Sequence, residues 1–457
     1  MSVQRLGLVF LFGGLIYAAF AADRLKIHSQ DNHFVYLADA FLSGQTELKR
    51  RPHHGNDWAS FIQLELKGSS VEKHGPSVSG FFTRRKGKPN QFQTLGKTLI
   101  DIPKADRGKQ ISRNYVSFPP GPAVLMMPWV AAVGYGTNDV VFTVIVAGFN
   151  LVFMLLLLLN LRELGYIERS DSDLIWFVGL FGFSTAVLWC SVLGQVWFTA
   201  LVVGLAFHTL YLLFAFDCRR PFIAGLFLAC AFATRASLVF AALFFYWQLF
   251  VGQRDRFDAR ERRIKFLAFT APCLVVGLAL LFYNYVRFQD PLEFGHTYLA
   301  GGHIARIRDF GLFHPHFINR NLTAAFTLLP RLSDGYPYLQ LSKHGMSIFL
   351  TTPVFIYLFF ARPTGWLKWG LWLPVIVISI PLFLYQNTGW EQFGYRFILD
   401  VLPYLILVLA VSKIRLTTTF KVLMLVGVLI NSFGAATFQR SYAAPLYGHF
   451  MSEEPRK

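Results

Sequence analysis

Apolar runs long enough to cross a bilayer recur from one end of the chain to the other, and polar residues are concentrated between them. The runs are Val3–Ala22, Val140–Asn160, Leu174–Cys190, Val196–Phe216, Pro221–Val251, Phe266–Val286, Ser347–Phe360, Trp369–Tyr385, Phe397–Val411 and Val422–Thr437. About 20 helical residues span a hydrocarbon layer of about 30 Å, so runs of that order predict membrane helices. Val3–Ala22 ends at Ala19-Phe20-Ala21, which is similar to a signal-peptidase site, but its apolar length exceeds a signal core and it is read as a retained helix. Pro221–Val251 is too long for one span and carries Arg235 near its middle, which predicts two short helices with the arginine at the turn. An unbroken, tilted helix with a buried Arg is the alternative. The prolines of Phe118–Val133 suit an interfacial helix that does not cross.

Composition fits the same class. Hydrophobic residues make up 54% of the chain, 48 of its 457 residues are Phe, and mean hydropathy is +0.44, which describes a polytopic membrane protein and excludes a soluble domain with one anchor. The net charge of +17 does not indicate nucleic acid, because Lys and Arg lie mainly in short loops between apolar runs and in one long polar loop. Membrane lipid and phosphate fit that distribution better. Cys190, Cys218, Cys230 and Cys273 lie in or beside apolar runs without ligand spacing, so neither a disulfide framework nor a zinc site is indicated. The positive-inside rule puts Arg254, Arg256, Arg260, Arg262, Arg263 and Lys265 inside and leaves Arg235 and Arg396 in outer turns.

The expected fold is an all-α polytopic membrane protein, a bundle of about 11 transmembrane helices with two large extracytoplasmic loops. Its divisions are a first transmembrane helix over 1–22, an extracytoplasmic loop with a juxtamembrane helix over 23–139, and a transmembrane bundle over 140–286. A second extracytoplasmic loop over 287–346, a C-terminal transmembrane bundle over 347–437 and an extracytoplasmic tail over 438–457 follow. The first loop is basic, shows no repeat, and is expected to be partly mobile. The second contains "NRNLTAAFTLLP", expected as a helix lying on the membrane, within which Asn321-Leu322-Thr323 fits a glycosylation sequon.

Chemistry then sorts by side. "QDNHFVYLADAF", Gln30–Phe41, sets Asp31 a few residues past the first apolar run, where a carboxylate can take a proton from an acceptor hydroxyl beside a lipid-linked substrate. A helix-capping or solvated Asp is the bland alternative. Arg235 has no acidic residue near it in sequence, and guanidinium groups bind phosphate bidentately, so Arg235 and Arg396 are candidates for a lipid phosphate. Against this stand snorkelling for Arg235 and an ion pair of Arg396 with Glu391 or Asp400. His33, Gln195, Arg287, Glu293, His296, Glu391 and Tyr395 share the outer side. Asp171-Ser172-Asp173 has the spacing of a metal-binding pair, but just before a span helix capping explains it. His53 and His54 are adjacent, which is poor geometry for one metal, and are read as solvated. No Gly-rich phosphate loop, His-Glu-x-x-His motif or nucleophile elbow appears.

The succession "QDNHFVYLADAF", "VSFPPGPAVLMMPW", "GTNDVVFTVIVAGFN", "LACAFATRASLVF", "YNYVRFQDPLEFG" and "GWEQFGYRFILDVLP" resembles bacterial membrane glycosyltransferases of the GT-C superfamily over nearly the whole chain. The layout is similar to protein O-mannosyltransferases, the lipid A aminoarabinose transferase and membrane arabinofuranosyltransferases. The resemblance implies a GT-C-like bundle in the bacterial inner membrane, with an active site facing the extracytoplasmic side. It implies a polyprenyl-phosphate sugar as donor, hexosyl or pentosyl transfer, and an acceptor hydroxyl on a glycan, lipid or protein. Asp31 would be the base, Arg235 and Arg396 would hold the donor phosphate, and Gln195, Glu391 and Tyr395 would position sugar or acceptor. Many members pair acids in the first loop, whereas Asp31 is flanked by Gln30 and Asn32, which leaves a divalent metal an open requirement. A transporter or flippase of a lipid-linked saccharide is the alternative class; no inverted repeat supports it, and the two long outer loops favour catalysis. An inactive assembly subunit is a third.

Overall fold

The computed structural model describes residues 3–50, 57–83, 89–299 and 304–451. In chain order, α1 (Val3–Ala21) and α2 (His33–Leu42) come first. β1 (Trp58–Leu66), α3 (Ser69–His74), β2 (Ser77–Phe82), β3 (Gln91–Thr94), β4 (Leu99–Asp101) and β5 (Arg107–Val116) follow. Next are α4 (Gly121–Val133), α5 (Asp139–Glu163), α6 (Asp171–Phe183), α7 (Val187–Cys190), α8 (Gln195–Ala215), α9 (Pro221–Phe232), α10 (Ala242–Trp247) and α11 (Ala259–Phe288). The chain continues through α12 (Ile304–Phe310), α13 (Ile318–Leu322), β6 (Arg331–Leu332), β7 (Leu339–Ser342) and α14 (Ile348–Thr351). α15 (Leu367–Leu384), α16 (Leu402–Val411), α17 (Thr418–Thr437) and β8 (Tyr447–Gly448) complete it.

These elements form two compact units. Residues up to Ser29, Asn138–Val276 and Phe310 onward make the larger, and Gln30–Thr137 with Gly277–Asp309 make the smaller. Among the described residues, six helices are long and apolar enough to cross a membrane: Gln4–Lys26, Asp139–Glu163, Gln195–Cys218, Ala259–Phe288, Leu367–Leu384 and Thr418–Thr437. That is fewer than the eleven or so expected, because the remaining apolar runs form shorter helices, such as α6, α9 and α16, or divide. Pro221–Val251 breaks after Phe232 and resumes at Ala236, with Arg235 extended between, as the short-helix reading expects. Ser347–Phe360 divides at Thr352–Pro353 into α14 and a 3-10 stretch, where a proline cannot donate to the preceding turn. α4 has thirteen residues, too few to cross a layer of about 30 Å.

Inside the larger unit, α5 packs against α1 and α8, and α8 against α9. Several buried polar side chains there find partners, which an apolar environment favours. Tyr17 donates to the Gly182 carbonyl at 3.0 Å, Asn150 to the Val202 carbonyl at 3.0 Å, and the Thr143 and Thr199 hydroxyls meet at 2.7 Å. Ser170 caps α6 in a reciprocal capping box with Asp173, which bears out the capping reading for that residue, whereas Asp171 accepts from Arg162 at 2.7 Å.

The smaller unit corrects the all-α expectation. Its five strands form an antiparallel sheet in the order β4-β3-β2-β1-β5. Period-two alternation in β1 explains it: Ala59 and Phe61 pack with Phe288 and Tyr298, whereas Leu64 and Leu66 pack with Phe92 and Ile102. Gly80 in β2 admits no side chain, since a Cβ there would lie 1.9 Å from the Gln93 carbonyl oxygen. Arg287 near the end of α11 is 3% exposed, donates to the Val116 carbonyl at 2.5 Å and to Asn284 Oδ1 at 2.7 Å, and stacks on Tyr283. Glu293 accepts from the Gly295 amide at 2.7 Å and the Thr297 hydroxyl at 2.6 Å. Both residues thus make structural contacts. His53, His54 and Arg84–Lys88 of the basic first loop lie outside the described residues.

Candidate functional site

Arg235 owes its position to the break between α9 and the 3-10 stretch Ala236–Ala241. Its backbone is extended, with φ −139° and ψ 104°, so the side chain leaves the chain at a discontinuity. The stem runs over Gly204 of α8, where a Cβ would come 2.8 Å from Arg235 Cγ. The guanidinium meets Asp400 side-on: Nε donates to Oδ1 at 3.0 Å and Nη2 to Oδ2 at 2.7 Å. The Ser237 hydroxyl donates to the same Oδ2 at 2.7 Å. Asp400 is 3% exposed, so the pair is largely withdrawn from solvent. A partner 165 residues away therefore replaces the snorkelling reading of Arg235.

Arg396 opens the 3-10 stretch that Asp400 closes, just before α16. Its amide donates to Gln392 Oε1 at 2.9 Å, and Nη1 donates to the Glu391 carbonyl at 3.3 Å. The carboxylates that sequence offered as partners for Arg396 are engaged with other cations. Glu391 accepts from Lys343 Nζ at 2.8 Å, and Asp400 binds Arg235. Both guanidinium groups also stand over the Phe397 ring, Arg235 at 5.3 Å and Arg396 at 5.5 Å, and Arg396 faces Phe198 at 5.1 Å. Phe397 thereby holds the two arginines within the sum of those distances.

The same ring lines an apolar cavity of about 400 Å³, together with Phe326, Phe349, Phe383, Tyr395 and Leu405. The Tyr395 hydroxyl is buried and makes no hydrogen bond among the described residues. Gln195 begins α8 one turn before Phe198, with φ +59°, and its amide donates to Asp139 Oδ2 at 2.9 Å and to Ser29 Oγ at 3.2 Å. Arg235, Arg396, Glu391, Tyr395 and Gln195 thus all belong to the larger unit.

Asp31 belongs to the smaller unit, half-buried in a turn ahead of α2. Asn32, one residue later, occupies the N-cap position. The following His33 is fully buried and stacked on Trp58 at 3.7 Å. Asp39, the other acid of the motif, accepts from the Tyr135 hydroxyl at 2.6 Å and pairs with Lys49 at 3.4 Å. Burial, and then the Asp39 carboxylate, push the Tyr135 phenol above its ordinary value.

Sequence reasoning passed over Asp139. It is 2% exposed, and its carboxylate accepts from the Ser29 amide at 2.8 Å, the Ser29 hydroxyl at 2.5 Å and the Gln195 amide. Next to the N-cap Asn138 it reads as an ordinary first-turn acid, and nothing local signals these distant partners. Asn321 of the sequon is 1% exposed and donates to the Phe383 and Tyr385 carbonyls at 2.8 and 2.7 Å, so its amide is structural. Among the described residues no three His, Cys, Asp or Glu side chains converge.

No family model and no curated protein sequence matches the chain. Among solved structures it is similar to the oligosaccharyltransferase of Archaeoglobus fulgidus in its apo form, at 12% identity and a TM-score of 0.45, over 99% of this chain and 61% of that one.

Proposed function

We propose that the chain is an integral-membrane glycosyltransferase of GT-C type that moves a sugar from a polyprenyl-phosphate donor to an acceptor hydroxyl on the extracytoplasmic side. The observation that carries this reading is the grouping of two guanidinium groups on Phe397, a ring that also lines an apolar cavity. Cations beside an apolar recess suit an anion with a hydrocarbon tail. The acceptor oxygen attacks the anomeric carbon, its proton passes to Asp31, and the bond from that carbon to the phosphate oxygen breaks. Polyprenyl phosphate leaves with the electron pair, and Arg235 and Arg396 stabilise the charge it gains. Such a leaving group needs charge stabilisation more than protonation, so a single carboxylate base suffices.

The test is transfer from a purified polyprenyl-phosphate sugar by the reconstituted full chain, with envelope extract from cells lacking the chain as acceptor. We predict that Asp31→Asn lowers turnover by about 100- to 10,000-fold while donor binding persists, because a carboxamide cannot act as the base. Arg235→Lys and Arg396→Lys should raise the donor KM with charge retained, since an ammonium lacks the two parallel donors. Near-normal transfer by a folded Asp31→Asn protein rejects the base assignment. Movement of donor across the bilayer without release of polyprenyl phosphate supports a flippase instead.

A further inference from the structure

We infer that Asp400 is a positioning residue, which turns Arg235 so that one defined edge of its guanidinium is left for the donor phosphate. The inference rests on the phosphate-binding reading of Arg235 given above. A guanidinium presents two edges with paired donors, one shared by Nε and an Nη nitrogen and one shared by the two Nη nitrogens. Asp400 occupies the first edge with two bonds of 3.0 and 2.7 Å. It is fixed in turn by the Ser237 hydroxyl and by its place at the end of the 3-10 stretch. Nη1 makes no hydrogen bond among the described residues and is not buried, and the Arg235 side chain keeps 18% of its surface exposed.

The pair therefore does more than neutralise a charge. With Nε and one Nη2 hydrogen committed, the remaining Nη1 and Nη2 hydrogens face away from Asp400 in the guanidinium plane, which is the geometry of a fork for two phosphate oxygens. Arg396 stands over the same Phe397 ring and supplies a second cation to the same neighbourhood. Asp400 also limits the approach. A carboxylate on one side of Arg235 repels an anion arriving from that side, so phosphate is admitted only from the other.

The experiment compares binding of a long-chain polyprenyl phosphate with binding of the matching polyprenol by the purified full chain in nanodiscs. General damage to the apolar cavity lowers both affinities together, whereas a misdirected Arg235 lowers only the preference for phosphate. In Asp400→Asn the carboxamide keeps one acceptor but sets a donor against Nη2, and the preference for phosphate should fall by roughly 10- to 100-fold with polyprenol binding unchanged. Asp400→Glu retains the charge and should restore part of the preference; Ser237→Ala, which removes one of the two hydrogen bonds to Asp400 Oδ2, should reduce it a few-fold. If Asp400→Asn does not fold, the Glu and Ser237 variants carry the test, and wild-type preference in both overturns the inference. Arg235→Lys distinguishes the two levels. A lowered preference in Arg235→Lys with a wild-type preference in Asp400→Asn removes the positioning role alone, whereas unchanged preference in Arg235→Lys, Arg235→Ala and Arg396→Lys removes the phosphate site itself.

Discussion

Gly204→Ala should impair donor use without removing any charged or polar group. The added methyl would lie 2.8 Å from Arg235 Cγ, 3.5 Å from Leu238 Cδ1 and 3.7 Å from Arg235 Cβ. Ordinary contact begins at 3.4 Å, so the arginine stem must yield by about 0.6 Å. Carried to the guanidinium, a shift of that size takes the 2.7 Å bond between Nη2 and Asp400 towards the limit of hydrogen-bonding distance. A misplacement of about 1 Å costs on the order of 100-fold, so a proportionate loss predicts a donor KM raised roughly tenfold. Stability should change less. Overpacking costs about 1–3 kcal/mol, but replacing a mid-helix glycine with alanine returns about 1 kcal/mol. Gly225→Ala is the control, because its methyl would meet the Phe269 carbonyl oxygen at 2.1 Å and Pro272 rather than either arginine. It should lower the melting temperature more than Gly204→Ala does, yet leave the donor KM of the folded fraction as in wild type. The assay is donor-dependent transfer beside thermal unfolding in the same detergent. A Gly204→Ala protein with a wild-type donor KM refutes the claim that the placement of Arg235 limits donor use.

Two further predictions concern topology and the sheet. Asp255 is exposed, so Asp255→Cys should react with an impermeant maleimide only in inside-out vesicles, and labelling in intact cells would reverse the expected orientation. Asp106 accepts from the Ser70 hydroxyl at 2.7 Å, the Ser70 amide at 3.0 Å and the Ser69 hydroxyl at 3.1 Å, and these bonds, the Ser70 hydroxyl first, hold its carboxyl below the usual range. A depressed carboxyl pKa stabilises the fold above the unfolded value and loses that contribution as pH falls through the folded one. Protection from hydrogen exchange over Ser69–His74, relative to the unfolded chain at the same pH, should therefore fall as pH drops below the ordinary carboxylate range in wild type and not in Asp106→Asn; identical protection profiles would remove Asp106 as the cause.

What could be read in advance depended on whether the deciding interaction was local. The break at Arg235 was legible because an apolar run of that length exceeds one span and an arginine at its centre is costly. The capping role of Asp173 was legible because the serine it answers lies three residues before it. The alternation Ile62-Gln63-Leu64-Glu65-Leu66 was also visible, but within a basic, polar stretch it carried less weight than the surrounding charge, and the sheet was missed. No local pattern could have joined Arg235 to Asp400 or Asp139 to Ser29 and Gln195, since each pairing is made by packing of helices far apart in sequence. The cost of a charge in an apolar surrounding is what makes such pairings informative afterwards. A buried Asp400 left alone would be destabilising by several kcal/mol, and an arginine that answers it with all its donors would serve stability alone. Arg235 answers with two and leaves Nη1 without a hydrogen bond among the described residues, so neutralising Asp400 does not account for the whole residue, and the remaining edge is the one the proposed donor phosphate would take.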